Sequence, residues 1–176
     1  MKKILCIFML MACYTTYGFE FNSGVNKVPL LELYSTQSCS SCPAAQEIIN
    51  SYKSHPELYK KFIPIVFHVD YWDYLGWKDP YSKKIFSQRQ RSYASEWDSS
   101  RVYTPMFVLN GKEHRKRDLD LITPTQKVGI LKVSDKEKVV TIAFKPINQN
   151  IKPAYINIAL LGRDIKTKVR SGENGG

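Results

Sequence analysis

The sequence predicts an α/β fold, on three observations. A Cys-x-x-Cys pair, Cys39 and Cys42, stands between a stretch of strand character and a stretch of helical spacing. A strongly apolar run of strand length follows, from Phe62 to Val69. A Thr-Pro dipeptide, Thr104-Pro105, then precedes a shorter apolar run, Met106 to Leu109.

Taken in order, the chain opens on a leader. Lys2 and Lys3 are basic, Ile4 to Ala12 is apolar but far too short to span a bilayer, and Thr16-Tyr17-Gly18 offers small residues before Phe19. Residues 1–18 therefore read as a signal peptide. Leu10-Met11-Ala12-Cys13 also resembles a lipobox, in which Cys13 would be acylated and anchor the chain to a membrane. Either route removes Cys6 and exports the protein, to the periplasm or beyond, where disulfides persist.

Pro29 to Tyr34 reads as the strand leading into the Cys-x-x-Cys. Ala45, Ile48, Ile49 and Tyr52 recur at helical spacing after it, with Pro43 in the first turn, where a missing N–H costs little. Phe62 to Val69 is expected as a central strand with both faces buried. Asp79 reads as an N-cap with Pro80 at the first helical position, and Tyr81, Ile85, Tyr93 and Trp97 as one face of that helix. Met106 to Leu109 ends in Asn110-Gly111, a hairpin turn.

From Lys132 to Lys168 the pattern changes to short β-branched runs: Val139, Val140, Ile142 and Phe144, then Tyr155, Ile156, Ile158, Leu160 and Leu161. The expected organisation is a signal peptide (1–18), a thioredoxin-like domain (19–130) and a small C-terminal β-region (131–176). Lys and Arg number 26 against 16 Asp and Glu, a formal net charge of +10, spread widely enough to read as a solvated basic surface. Nucleic acid is not an expected partner of an exported chain. His55 and His114 read as surface residues.

Strand, Cys-x-x-Cys, helix is the order of a thiol–disulfide site on a thioredoxin-like fold. A helix start stabilises a thiolate through unpaired N–H groups and the helix dipole. Cys39, just before the helix, is expected as the nucleophile and Cys42 as the resolving thiol. A local bridge of this kind closes so small a loop that it makes a poor structural staple. Thr104 and Pro105 are expected to border the substrate groove, because a proline before a strand faces the disulfide in such folds in the cis form. His68 and Asp70, at the C-terminal end of a strand, are candidates for proton handling. Trp72 and Trp77, in the aromatic stretch Tyr71 to Trp77, are candidates for a substrate-binding wall. The partners expected are protein or small-molecule thiols and disulfides. No cofactor is expected, since the dithiol itself carries two electrons.

Two other classes fit the same residues. Cys39 and Cys42, with His68 as third ligand, would suit a carrier of copper(I) or another soft metal, although two thiolates fill only half a tetrahedral shell. A non-catalytic binding module would keep the fold and use the aromatics around Trp72 and Trp77.

The motifs together resemble those of a family of secreted bacterial proteins known as a domain of unknown function and given a thioredoxin-like fold. The resemblance rests on Leu31-Glu32-Leu33, Thr36 to Pro43, His68 to Trp72, Leu75 to Pro80, Gln88-Arg89-Gln90, Val102 to Pro105 and Asn110-Gly111. It implies a thioredoxin-like architecture followed by a β-region, and no established reaction. The family pattern runs past Gly172-Glu173-Asn174-Gly175-Gly176 into further strand, so the β-region is expected to be incomplete.

Overall fold

The computed structural model describes residues 18–115, 126–136, 139–148 and 155–176. The expected leader, with Cys6 and Cys13, lies outside the described residues, Gly18 aside. Among the described residues are seven strands and two α-helices: β1 Phe19–Asn22, β2 Leu30–Ser35, α1 Cys42–Ser51, β3 Ile63–His68, α2 Lys84–Glu96, β4 Met106–Leu109, β5 Lys112–His114, β6 Gly129–Lys136 and β7 Val139–Pro146.

Strand β2 is the centre of the molecule. It pairs parallel with β3 and antiparallel with β4, and β4 turns through Asn110-Gly111 into β5, giving the order β3-β2-β4-β5. Both turn residues have positive φ, the conformation the two-residue hairpin requires. Alternation along β2 sorts its side chains between two layers. Leu31 and Leu33 face α1, where they bury with Ala45 and Phe107 against Ile48, Ile49 and Tyr52. Tyr34 faces the other way, into a cluster with Val69, Met106 and Val108 covered by Tyr93 and Trp97 of α2 and its end. Each fully buried aliphatic side chain contributes about 1.5–3 kcal/mol.

The sheet thus lies between two helices, and Glu32, between two leucines, is driven inside with a charge. It survives there because Arg89 grips both carboxylate oxygens, at 2.7 and 2.9 Å, and the hydroxyls of Tyr34 and Tyr93 donate to them at 2.8 and 2.7 Å. Burial would raise its pKa; Arg89, Tyr93 and Tyr34 together outweigh that and hold it below the usual carboxylate value.

Four expectations need correction. The Phe62–Val69 run is an edge strand, because β2 takes the central place with β4 on its far side, and every residue of β3 is only half-buried. Asp79 is no N-cap of α2, which begins at Lys84 with Lys83 as the residue before it: Asp79 Oδ1 accepts from the Tyr81 N–H at 2.9 Å, but that closes only a turn at 80–81, while its Oδ2 binds the Gln37 N–H and His68. Consequently Tyr81 lies outside the helix and Ile85 points to solvent, while Ser87, Gln90 and Ala94 form the buried face. His55 and His114 are half-buried rather than superficial; His55 packs edge-on against Tyr52 and Phe62. Finally, residues 155–161 form no strand. No neighbouring strand offers them a ladder among the described residues, so Tyr155, Ile158 and Leu160 stay exposed.

The second sheet has the order β1-β6-β7, antiparallel throughout. It draws β1 from the opposite end of the chain. Residues 159–169 run past the open side of β3 and α1, where Asp164 meets Lys53 and Thr167 donates to Tyr81, leaving a cavity of about 1210 Å³.

Candidate functional site

Cys39 and Cys42 are free, buried and together at the start of α1. The Cys42 thiol donates to the Cys39 sulfur at 2.6 Å. The Cys39 amide carbonyl accepts from the Cys42 N–H at 3.1 Å, closing the turn that brings the sulfurs together. Ser41 Oγ lies 3.3 Å from Cys39 Sγ, and the Thr104 carbonyl lies 3.8 Å away across the gap to the next strand.

This environment separates the two thiols. The Cys42 hydrogen bond stabilises the Cys39 thiolate; burial opposes it, but the Ser41 and Thr104 side chains add to the stabilisation, and the Cys39 pKa falls to about 5. Cys42 goes the other way. It supplies the proton of that bond and is more deeply buried, so its pKa is pushed far above that of a free thiol. The environment favours the thiolate on Cys39 and the thiol on Cys42.

The Thr104-Pro105 peptide bond is cis. Trp72 donates its indole N–H to Thr104 Oγ at 2.9 Å. Gln90, fully buried on α2, donates to the Tyr103 carbonyl at 2.8 Å and accepts from the Tyr71 hydroxyl at 3.0 Å. Three expected residues, Thr104, Pro105 and Trp72, thus form one wall beside the sulfurs, and Gln90 holds it from behind.

Trp77 stands elsewhere. Its indole N–H donates to Gln37 Oε1 at 3.0 Å and its carbonyl accepts from Ser38 Oγ at 2.5 Å, so it braces the turn before Cys39. His68 and Asp70 also part company. His68 Nδ1 lies 2.6 Å from Asp79 Oδ2, the oxygen that also accepts from the Gln37 N–H at 2.8 Å and from Thr36 Oγ at 3.2 Å. Burial would raise the Asp79 pKa, yet His68 and the Gln37 N–H hold it below the usual carboxylate value. Asp70 accepts a very short hydrogen bond from Ser87 Oγ, which in turn accepts from the Asp70 N–H at 3.1 Å. His68 is therefore linked to the dithiol through Asp79 and the 36–38 backbone, and Asp70 is tied to α2. Among the described residues no group of three His, Cys, Asp or Glu side chains is placed to hold a metal ion.

A family model described as "Protein of unknown function (DUF1223)" matches residues 30–176. The chain belongs to DUF1223. No curated protein matches the sequence. A solved crystal structure, protein AGR_C_4864 from Agrobacterium tumefaciens, is similar at 36% identity with a TM-score of 0.45. That match covers 51% of the present chain and 38% of the other. The DUF1223 match takes in the dithiol, the cis-proline wall and segment 171–176 alike.

Sequence reasoning missed the roles of Gln90, Arg89 and Asn174. One signal was available: a charged Glu32 inside an apolar strand demands a buried partner, and the helical stretch from Lys84 carries three cations, Lys84, Arg89 and Arg91, of which Arg89 is that partner.

Proposed function

We propose that this DUF1223 protein is an exported thiol–disulfide oxidoreductase with a thioredoxin-like fold. The fold reading is supported by a β3-β2-β4-β5 sheet with helices on both faces, Cys-x-x-Cys at the start of α1 and a cis-proline before β4. The observation that carries the activity is the asymmetric thiol pair, with sulfurs 2.6 Å apart and the Thr104 carbonyl beside Cys39.

The chemistry follows from that asymmetry. The Cys39 thiolate attacks one sulfur of a substrate disulfide; a Cys39–substrate bond forms and the other substrate sulfur leaves as a thiolate. Cys42 then gives up its proton to the departed substrate thiolate and attacks the Cys39 sulfur. The Cys39–Cys42 disulfide forms, the second substrate thiolate leaves, and two electrons have passed to the substrate. The same steps in reverse oxidise a substrate dithiol. A stabilised Cys39 thiolate favours the reduced protein, which supports the reverse, oxidising direction. The Tyr103-Thr104 backbone beside the cis-proline is the surface on which a substrate chain would lie, with Trp72 as its wall. A leader at residues 1–18 suits an oxidising compartment; among the described residues no helix is long and apolar enough to cross a membrane.

The test is the redox equilibrium of the protein against glutathione buffers, read by thiol alkylation. A reversible two-electron transition within roughly −120 to −270 mV, toward the less negative end, is expected, and its loss in Cys39→Ser. A pair that stays oxidised throughout, or thiols protected only by added copper or zinc, would overturn the reading in favour of a binding module or a metal carrier.

A further inference from the structure

The turn that carries the dithiol is held from far along the chain. Helix α1 has no side-chain cap at Ser41 and no acidic residue in its first turn. What local sequence leaves undone, residues 171–174 supply. The Glu173 carboxylate accepts from the Ser40 N–H at 2.9 Å, between the two cysteines. Asn174 Nδ2 donates to two carbonyls at once, Gln37 at 2.7 Å and Cys39 at 2.9 Å. Ser171 Oγ donates to the Gly76 carbonyl at 2.6 Å.

The seat is built to fit. Gly172 and Gly76 both have positive φ, and a Cβ on Gly172 would lie 3.0 Å from the Leu75 carbonyl and from Trp77 Cβ. Only a glycine passes there. The contacts fall on the backbone of the turn, while the Cys39 sulfur is turned to Thr104. The segment grips the dithiol without taking its substrate side.

We propose that residues 171–174 are a clasp that sets the reactivity of the dithiol, with Asn174 and Glu173 as positioning residues for Cys39. Asn174 fixes the Cys39 carbonyl and thereby the turn that keeps Cys42 pointing its proton at Cys39. Glu173 opposes it electrically, by setting a negative charge beside the turn where the thiolate forms. The groups that bear on Cys39 are Ser41 and Cys42 from the start of α1, Tyr71 from the loop after β3 (with Arg91 of α2 over its ring), the Thr104 carbonyl from the cis-proline turn, and Glu173 from the clasp. Glu173 is the one carboxylate among them.

The inference rests on the dithiol reading, yet its test reads the thiolate itself, so a protein that exchanges no disulfide still reports on the clasp. The measurement is the rate of Cys39 alkylation by iodoacetamide on the reduced full chain, as a function of pH, with the fold checked by circular dichroism. In Asn174→Ala and Gly172→Val the acid limb moves to higher pH, and the rate on that limb falls about 3- to 10-fold with the alkaline plateau kept. In Glu173→Gln, which preserves the acceptor and removes the charge, the limb moves to lower pH and the rate on it rises about 2- to 3-fold. Opposite shifts in neighbouring residues cannot come from a merely structural tail, which would lower stability and leave the limb in place. Profiles overlaying the parent's in folded variants overturn the proposal. Should the first two variants not fold, Glu173→Gln decides it alone: a shifted limb supports the clasp and an unshifted one overturns it.

Discussion

The two sheets obey different rules. In β3-β2-β4-β5 the central strand is covered on both faces by helices, and Leu33 and Tyr34, adjacent on opposite faces, are each 0% exposed. In β1-β6-β7 all four residues of β1 are exposed, and Phe19, Phe21, Val140 and Phe144 meet solvent. One sheet is held by layers above and below it, the other mainly by its ladders. The stability of the site therefore comes from β2 and its two coats, and the second sheet contributes to the fold without enclosing the dithiol.

Leu33→Ala and Phe21→Ala break that comparison most sharply. The first removes a fully buried side chain and is expected to cost about 2–5 kcal/mol. The second acts on an exposed strand and should cost less than about 1 kcal/mol. Urea unfolding of both measures the gap; equal costs would mean that the second sheet shares the core.

Glu32→Ala comes next. It strands the Arg89 and tyrosine donors, at about 2–3 kcal/mol, the low side for a broken buried pair because the Arg89 side chain is 43% exposed. The same carboxylate makes the first sheet acid-sensitive. Glu32 and Asp79 are both held below their ordinary values in the fold. Their contribution is complete above the unfolded carboxylate pKa values, about 4, and is lost as pH falls through the depressed folded values. Urea midpoints measured downward from about pH 5 should fall, and fall less steeply in Glu32→Gln.

A change behind the wall sharpens the picture inside the site. Gln90→Ala frees the Tyr71 hydroxyl and the Tyr103 carbonyl, at about 1–2 kcal/mol. It should also slow exchange with a substrate disulfide while leaving the Cys39 alkylation profile in place, because Gln90 braces the wall and touches neither sulfur. A shifted profile would instead tie Gln90 to the thiolate.

What could be read from the chain was local. The strand–Cys-x-x-Cys–helix order, the place of Pro105 and the Asn110-Gly111 hairpin rest on patterns a few residues long, and the structure carries each of them. The misread elements are those in which a distant partner overrode the local pattern. Asp79 before Pro80 reads as a helix cap, yet its local bond to the Tyr81 N–H closes only a turn, and the Gln37 N–H, 42 residues away, and His68 hold its other oxygen. Phe62 to Val69 looked central because it is apolar throughout, yet strand order depends on which neighbours β2 accepts.

By itself, then, the sequence determined the chemistry available: two thiols at a helix start and a proline to face them. Only the tertiary structure decided what holds those groups and the strands beneath them in place. It sent Arg89 to Glu32, Gln90 to the back of the cis-proline wall, and Asn174 to the Gln37 carbonyl 137 residues away. The physical reason is that a buried polar group must find a partner wherever the folded chain offers one, and that choice depends on distance in space, which periodicity along the chain does not encode.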